Sequence, residues 1–285
     1  MSIRVRKPEW LKVSFRSNDN FARTKQIVEG HGLHTICTSG RCPNIGECWG
    51  RGTATFMIGG EICTRSCKFC NTLTGKPLPL DMQEPERVAE SIRLMNLNHA
   101  VITSVDRDDL SDLGAEHWVR TIRAIKEVNP QTTLEVLIPD FQGKLDLIDL
   151  IIDSAPDVIS HNIETVRRLT PQVRSAAKYD TSLQVLAHIA SKGSVAKSGL
   201  MLGLGETENE VIDTMDDLYR TGCSVLTIGQ YLQPSRKNLP VSEYVTPEKF
   251  AEYKQKGIEM GFKEVESAPL IRSSYFAERH VKPRQ

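Results

Sequence analysis

From residue 54 onward the apolar positions alternate between two patterns. Short β-rich runs such as ATFMIGG at 54–60 and HAVITSV at 99–105 read as strands. Between them, EPERVAESIRLMNL sets Val88, Ile92 and Met95 at helical spacing, which completes one βαβ step. The alternation continues with the helix GAEHWVRTIRAIKEVN, the strand TTLEVLIP, the helix LDLIDLIIDSA and the strand DVISHNIE. SLQVLAHIASKG, AKSGLMLGL, ENEVIDTMDDLYRTG and SVLTIGQYLQ carry it further, and TPEKFAEYKQKGIEMG ends it with Thr246 as N-cap and Pro247 at the first helical position. Six βα units imply an α/β chain built on a parallel sheet. Such units close as an incomplete barrel or open into a doubly wound sheet, and periodicity alone does not choose. Residues 1–53 and 263–285 fall outside the repeat and are expected to pack on it as extensions.

At 285 residues the chain is long enough for one large core. Lys plus Arg equals Asp plus Glu at 36 each, so no global field draws nucleic acid or anionic lipid. The opening MSIRVRKPEWLKV lacks the apolar centre of a signal peptide, and no run approaches the ~18 apolar residues of a membrane span. The expectation is a cytoplasmic monomer with no nucleic-acid or membrane partner.

Cysteine usage changes the picture. Six of the seven cysteines fall between residues 37 and 70, a clustering that in a reducing compartment means metal rather than a disulfide framework. In Cys63-Thr-Arg-Ser-Cys67-Lys-Phe-Cys70, three thiolates follow a strand within eight residues. A four-iron cubane takes one cysteine per iron, so a triad leaves one iron open to an outside ligand. Cys37, Cys42 and Cys48 form a second triad, spaced Cys-x4-Cys-x5-Cys, ahead of the repeat. Zinc is the alternative occupant of either triad. His31 and His34 are the histidines near the first triad worth testing as ligands, and Cys223, with no cysteine neighbour, reads as a small buried hydrophobe.

Cys-x3-Cys-x-aromatic-Cys at the end of the first repeat strand resembles the signature of radical S-adenosylmethionine enzymes. The second triad fifteen residues earlier, Arg-Ser-Ser-Tyr at 272–275, and the stretches CTSGRCPNIGECW, TSVDRDDL, HNIETV and MLGLGET sharpen that likeness. Over nearly its whole length the chain resembles the lipoyl synthase family. The resemblance implies a partial (β/α)6 TIM-type barrel over 54–262, with an N-terminal extension over 1–53 carrying auxiliary cluster ligands and a C-terminal extension over 263–285 carrying the Arg-Ser-Ser-Tyr motif. It implies two 4Fe-4S clusters and S-adenosyl-L-methionine as cofactors. Cys63, Cys67 and Cys70 would hold the cluster whose open iron chelates S-adenosylmethionine and cleaves it to a 5′-deoxyadenosyl radical. Cys37, Cys42 and Cys48 would hold a sacrificial, sulfur-donating cluster whose fourth ligand is a serine, Ser274 being favoured over Ser273. The implied reaction inserts sulfur at C6 and C8 of an octanoyl chain carried on a lysine of a lipoyl carrier protein domain, with electrons from a small protein donor.

Around the radical cluster, Phe69 lies inside the signature itself. Ser104, Asp106 and Arg107 follow the second strand, where they would hold the S-adenosylmethionine amino group and ribose, unless they belong to a solvated acidic loop with Asp108, Asp109 and Asp112. Family likeness makes Asn162 and Glu164 ribose or methionine contacts. Arg174 suits the methionine carboxylate, unless it is a surface arginine. Gly203 and Gly205 would let adenine approach, and Gln230 and Tyr231 would line the same cavity. Two other functions compete: a related radical enzyme acting on a small molecule such as dethiobiotin or on a peptide, and a non-enzymatic zinc or iron-sulfur module. Arg272 to Tyr275 beside Cys-x4-Cys-x5-Cys favours the sulfur inserter acting on a carrier protein.

Overall fold

The computed structural model describes residues 6–13 and 18–281. Its main sheet joins β1 (His34–Thr35), β2 (Thr55–Ile58), β5 (His99–Ser104), β6 (Thr133–Leu137), β7 (Val158–Ser160), β8 (Ala196–Leu202), β9 (Val225–Gln230) and β10 (Glu264–Ser267), while β3 (Ile62–Cys63) and β4 (Leu73–Thr74) pair separately. Spatial order follows chain order without a reversal, which excludes the doubly wound sheet. Among the described residues β10 makes no pairing back to β1 or β2, so the sheet curls as a partial barrel and stays open. Every pairing from β2 to β10 is parallel, and only β1 runs antiparallel against β2.

The six helices between these strands fall where periodicity placed them, over Glu84–Met95, Ala115–Val128, Leu145–Asp153, Tyr179–Ser191, Glu208–Arg220 and Pro247–Met260. The Thr246 hydroxyl caps the last, accepting from the Lys249 amide at 3.3 Å. Two pieces of sheet were not expected. Strand β10 lies inside the segment assigned to the C-terminal extension, so the barrel sheet runs past residue 263. Strand β1 ties the N-terminal extension to the sheet edge.

Alternation along the strands separates two surfaces. Phe56, Ile58, Ala100, Ile102, Leu134, Val136, Leu226 and Ile228 join the large core beneath the helices. The alternate positions face inward, and they are mostly small or polar: Thr55, Thr103, Glu135, Lys197, Gly199, Thr227 and Gly229. A closed barrel fills its interior with branched apolar side chains. Here the interior is left as a cavity of about 360 Å³ at the carboxyl ends of the strands.

The C-terminal segment uses part of that room. A Cβ on Gly229 would meet the Ile271 carbonyl oxygen at 2.1 Å, and one on Gly199 would meet the Ser273 hydroxyl at 3.0 Å, so glycine at both positions lets residues 271–273 lie directly on β8 and β9. The two chain ends also meet: Asn44 donates to the Leu270 carbonyl at 2.8 Å, and Arg51 bonds Glu278 at 2.8 Å and stacks on the Phe276 ring.

Candidate active site

Cys63 closes β3, and β4 pairs with it in parallel, so the loop bearing Cys67 and Cys70 is fastened at both ends. The loop is also pinned in its middle, where the Lys68 amide donates to Val173 and the Lys68 carbonyl accepts from Leu239. Cys63, Cys67 and Cys70 all face the large cavity. The amides of Arg65 and Asp106 donate to the Cys63 sulfur at 3.4 and 3.3 Å, an arrangement suited to a thiolate.

Arg65 is the functional residue that sequence reasoning missed. Its guanidinium bonds Asp108 through Nε and Nη2 at 2.7 and 2.9 Å, reaches Asp140 at 2.8 Å and lies 3.3 Å from Asp106. Burial opposes its charge, but the three carboxylates more than offset that and hold its pKa above the usual arginine value. Asp108 and Asp140, though burial opposes their charge, sit below the usual carboxylate range because of Arg65. Asp106 is pushed up by its own burial, against the pull of Arg65. The acidic loop is therefore a clamp, stapling the cysteine loop to the ends of β5 and β6. A single arginine between two cysteines carries no sequence signal for partners up to 75 residues away.

Cys37 lies in a helical turn, Ile36–Ser39, capped by Thr35, and Cys48 in the helix Ile45–Gly50. Cys42 lies between them, after Arg41 at a φ of 51°. All three line a second cavity of about 50 Å³ that adjoins the first across Cys37, Cys42, Thr55, Arg272 and Ser274. Ser274 lines both cavities. Ser273 faces only the larger one, and its hydroxyl accepts from the Asn162 amide at 2.7 Å. The serine that faces the triad is Ser274.

Burial pushes the Cys37 thiol up to about 11 and the Cys48 and Cys63 thiols up to about 12, and raises Cys42 and Cys67 as well. Such thiols are poor free nucleophiles at neutral pH, and ionisation by bound iron is what would put them to use. His31 turns away from the triad to meet Ser91 at 2.5 Å, and neither it nor His34 lines either cavity.

Phe69, Ser104, Asp106, Asn162, Glu164 and Arg174 all face the large cavity. Asn162 Oδ1 is buried without a hydrogen-bond partner there, an acceptor that fits an ammonium or ribose hydroxyl. Glu164 holds a φ of 67°, a left-handed backbone that side chains rarely adopt. Burial raises its carboxyl pKa against the opposing charge of Arg174. Arg174 is buried, not a surface arginine, and spends Nη1 on the Ile163 carbonyl and the Ser182 hydroxyl.

The other expected residues divide between the cavity wall and its surroundings. Arg107 pairs with Asp109 and donates to the Gly59 carbonyl, away from the cavity. Gln230 reaches the cavity wall, but its amide is consumed by the Leu202, Tyr231 and Glu243 carbonyls and the Val245 amide. Gly203 and Gly205 do not line the cavity; Gly203 packs against the Gln230 amide and the Glu243 carbonyl instead. Tyr231 does line it, with its hydroxyl donated to Leu239. Cys223 is buried in the large core, where its thiol meets the Ala196 and Val225 carbonyls.

Comparison with known proteins agrees with this layout. The Radical SAM superfamily model matches residues 57–218. Lipoyl synthase of Parabacteroides distasonis is 73% identical over 281 residues, covering 99% of this chain and 100% of the relative. That of Bacteroides thetaiotaomicron is 68% identical over 282 residues, with 99% and 100% covered, and that of Treponema denticola 60% over 281 residues, with 99% and 97%. Two solved structures share the fold at low identity. Streptococcus suis SuiB bound to S-adenosylmethionine gives a TM-score of 0.61 at 11% identity, covering 83% of this chain and 58% of that one. Methylornithine synthase gives 0.55 at 11%, covering 92% and 91%. On identity over nearly the full length and the superfamily match over residues 57–218, the chain belongs to the lipoyl synthase family within the radical SAM superfamily.

Proposed function

We propose that this chain is a radical sulfurtransferase that inserts sulfur at C6 and C8 of an octanoyl chain held in amide linkage on a carrier-protein lysine. Such C–H bonds have no acidity, so general acid–base groups alone cannot open them. When bound, two 4Fe-4S clusters and S-adenosylmethionine supply a low-potential electron, a primary carbon radical and the sulfide that is transferred.

The residues divide this work. Cys63, Cys67 and Cys70 hold the reducing cluster, and the Arg65 clamp fixes their loop against the barrel. Asn162 Oδ1, Asp106, Glu164 and Arg174 surround the space for the polar ends of S-adenosylmethionine. Leu137, Leu200 and Met201 give the same chamber apolar wall for an alkyl chain. Cys37, Cys42, Cys48 and Ser274 hold the sulfur donor, and a serine oxygen, harder than thiolate, is the ligand easiest to exchange there. The observation that carries the reading is that Ser274, Cys37 and Cys42 line both cavities, so the donor site opens on the chamber where the alkyl radical would form. A small protein supplies electrons, and no helix among the described residues is long and apolar enough to cross a membrane.

The test is anaerobic reconstitution followed by incubation with reductant, S-adenosylmethionine and an octanoyl-lysyl peptide. Lipoyl peptide with one 5′-deoxyadenosine per sulfur inserted is expected. Deoxyadenosine with no thiolated peptide would count against the proposal.

A further inference from the structure

Inside the barrel, below the cysteine sites, lies an ion pair that the chemistry above does not use. Lys197 on β8 and Glu135 on β6 are both fully buried, with the ammonium 2.8 and 2.9 Å from the two carboxylate oxygens. A pair so placed loses more hydration than its attraction usually returns, so stability alone is a weak reason for it. Its remaining contacts are informative. An ammonium has three protons and only donates. Besides Glu135, Lys197 Nζ reaches the Ser273 carbonyl at 2.7 Å and His280 Nδ1 at 3.2 Å. Both lie in the C-terminal segment, outside the sheet. Glu135 is itself seated by the Ser160 hydroxyl at 2.8 Å.

The Ser273 carbonyl belongs to the peptide that joins Ser273 to Ser274. Holding that oxygen fixes the peptide plane from which the Ser274 side chain departs. Ser273 is held from a second side by the Asn162 amide on its hydroxyl. We propose that Lys197, seated by Glu135, is a positioning residue that presents Ser274 to the Cys37/Cys42/Cys48 site. This rests on the reading of Ser274 as the fourth ligand there. A serine oxygen binds iron weakly and must be able to leave, so an iron–oxygen bond cannot be what holds the segment in place. The buried ammonium provides an anchor that persists whether or not the serine is bound.

The test uses the reconstituted full chain with S-adenosylmethionine present, which shields the open iron of the radical cluster. Mild oxidation should leave wild type with little three-iron signal in electron paramagnetic resonance. The double variant K197M/E135Q removes both charges together and leaves no unpaired ion in the core. It is expected to show about one three-iron spin per chain, because the unheld serine no longer retains its iron. S274A should show the same signal. If S274A shows it and K197M/E135Q does not, Lys197 has no positioning role; if S274A itself resembles wild type, the ligand assignment is what fails. Hydrogen exchange on the cluster-free chain gives a second readout that needs no metal. Amides of residues 273–276 should exchange roughly tenfold faster in K197M/E135Q while β6 and β8 stay protected. Equal exchange in the two proteins would overturn the proposal.

Discussion

The Tyr275 hydroxyl sits 2.9 Å from both carboxylate oxygens of Glu47, across 228 residues of chain. Glu47 precedes Cys48, and Tyr275 follows Ser274, so one hydrogen bond ties together the neighbours of two proposed ligands from opposite chain ends. Tyr275→Phe keeps the ring against Phe276 and deletes only the bond. The site is partly exposed, so the global loss should be modest, about 1 kcal/mol in a denaturant titration. The larger effect should be local: faster removal of iron from the auxiliary site by a chelator, with the radical site unchanged.

Arg65 should be far less tolerant. Arg65→Met would leave Asp106, Asp108 and Asp140 facing one another without their counter-charge, and breaking a buried network of this kind costs about 3–5 kcal/mol. Arg65→Lys is not a rescue, because a point charge cannot reproduce the two-pronged bond to Asp108. Thermal denaturation of the cluster-free protein should show both losses, the methionine variant lower. A lysine variant as stable as wild type would argue against the clamp.

Acid sensitivity should have its source beside the same cavity. His161 is fully buried, donates from Nδ1 to the Ile138 carbonyl, and accepts from Ser182, which in turn accepts from Arg174. Burial first, then the Arg174 charge, lowers its pKa to about 4, and His280 is lowered to about 4 by burial and Lys197. Both groups bind protons more readily unfolded than folded. Their contribution is therefore complete above the ordinary histidine pKa near 6.5 and is lost as pH falls toward 4. The urea midpoint should drop across that window, and His161→Gln should make the drop shallower. A midpoint independent of pH between 6.5 and 4 would contradict these assignments.

The fold was legible where periodicity is long and local. Six helices and six strands follow from apolar spacing, and both cysteine triads follow from spacing plus the strand they flank. What escaped has a common cause. Strand β10 has four residues with Val265 its single apolar one, too short to separate from a loop. The inward positions of β6 and β8 hold Glu135 and Lys197, yet neighbouring Leu134, Val136, Ala196 and Leu200 make those strands read as plain apolar runs. Arg65 with Asp140, and Lys197 with Ser273, are 75 and 76 residues apart, and nothing local in either member names the other. Gly203 falls outside the cavity for a related reason: position after a strand end suggests a cavity contact, but it packs against the Gln230 amide and the Glu243 carbonyl.

Gly229 offers the sharpest test of how the C-terminal segment reaches the site. A methyl there would stand 2.1 Å from the Ile271 oxygen and 3.1 Å from its carbon, both backbone atoms that cannot rotate away. Either β9 or residues 271–274 must shift. The strand is hydrogen-bonded on both sides, to β8 and β10, so the segment is the part that yields. Gly229→Ala should cost about 1–3 kcal/mol. Its iron content after reconstitution should fall from about eight toward about four per chain, with S-adenosylmethionine binding retained. Gly30→Ala is the matched control, since a methyl there meets nothing within 4 Å and the residue ends a helix. It should bind iron like wild type and be no less stable. If Gly229→Ala also reconstitutes fully, the auxiliary site does not depend on the segment lying against β9.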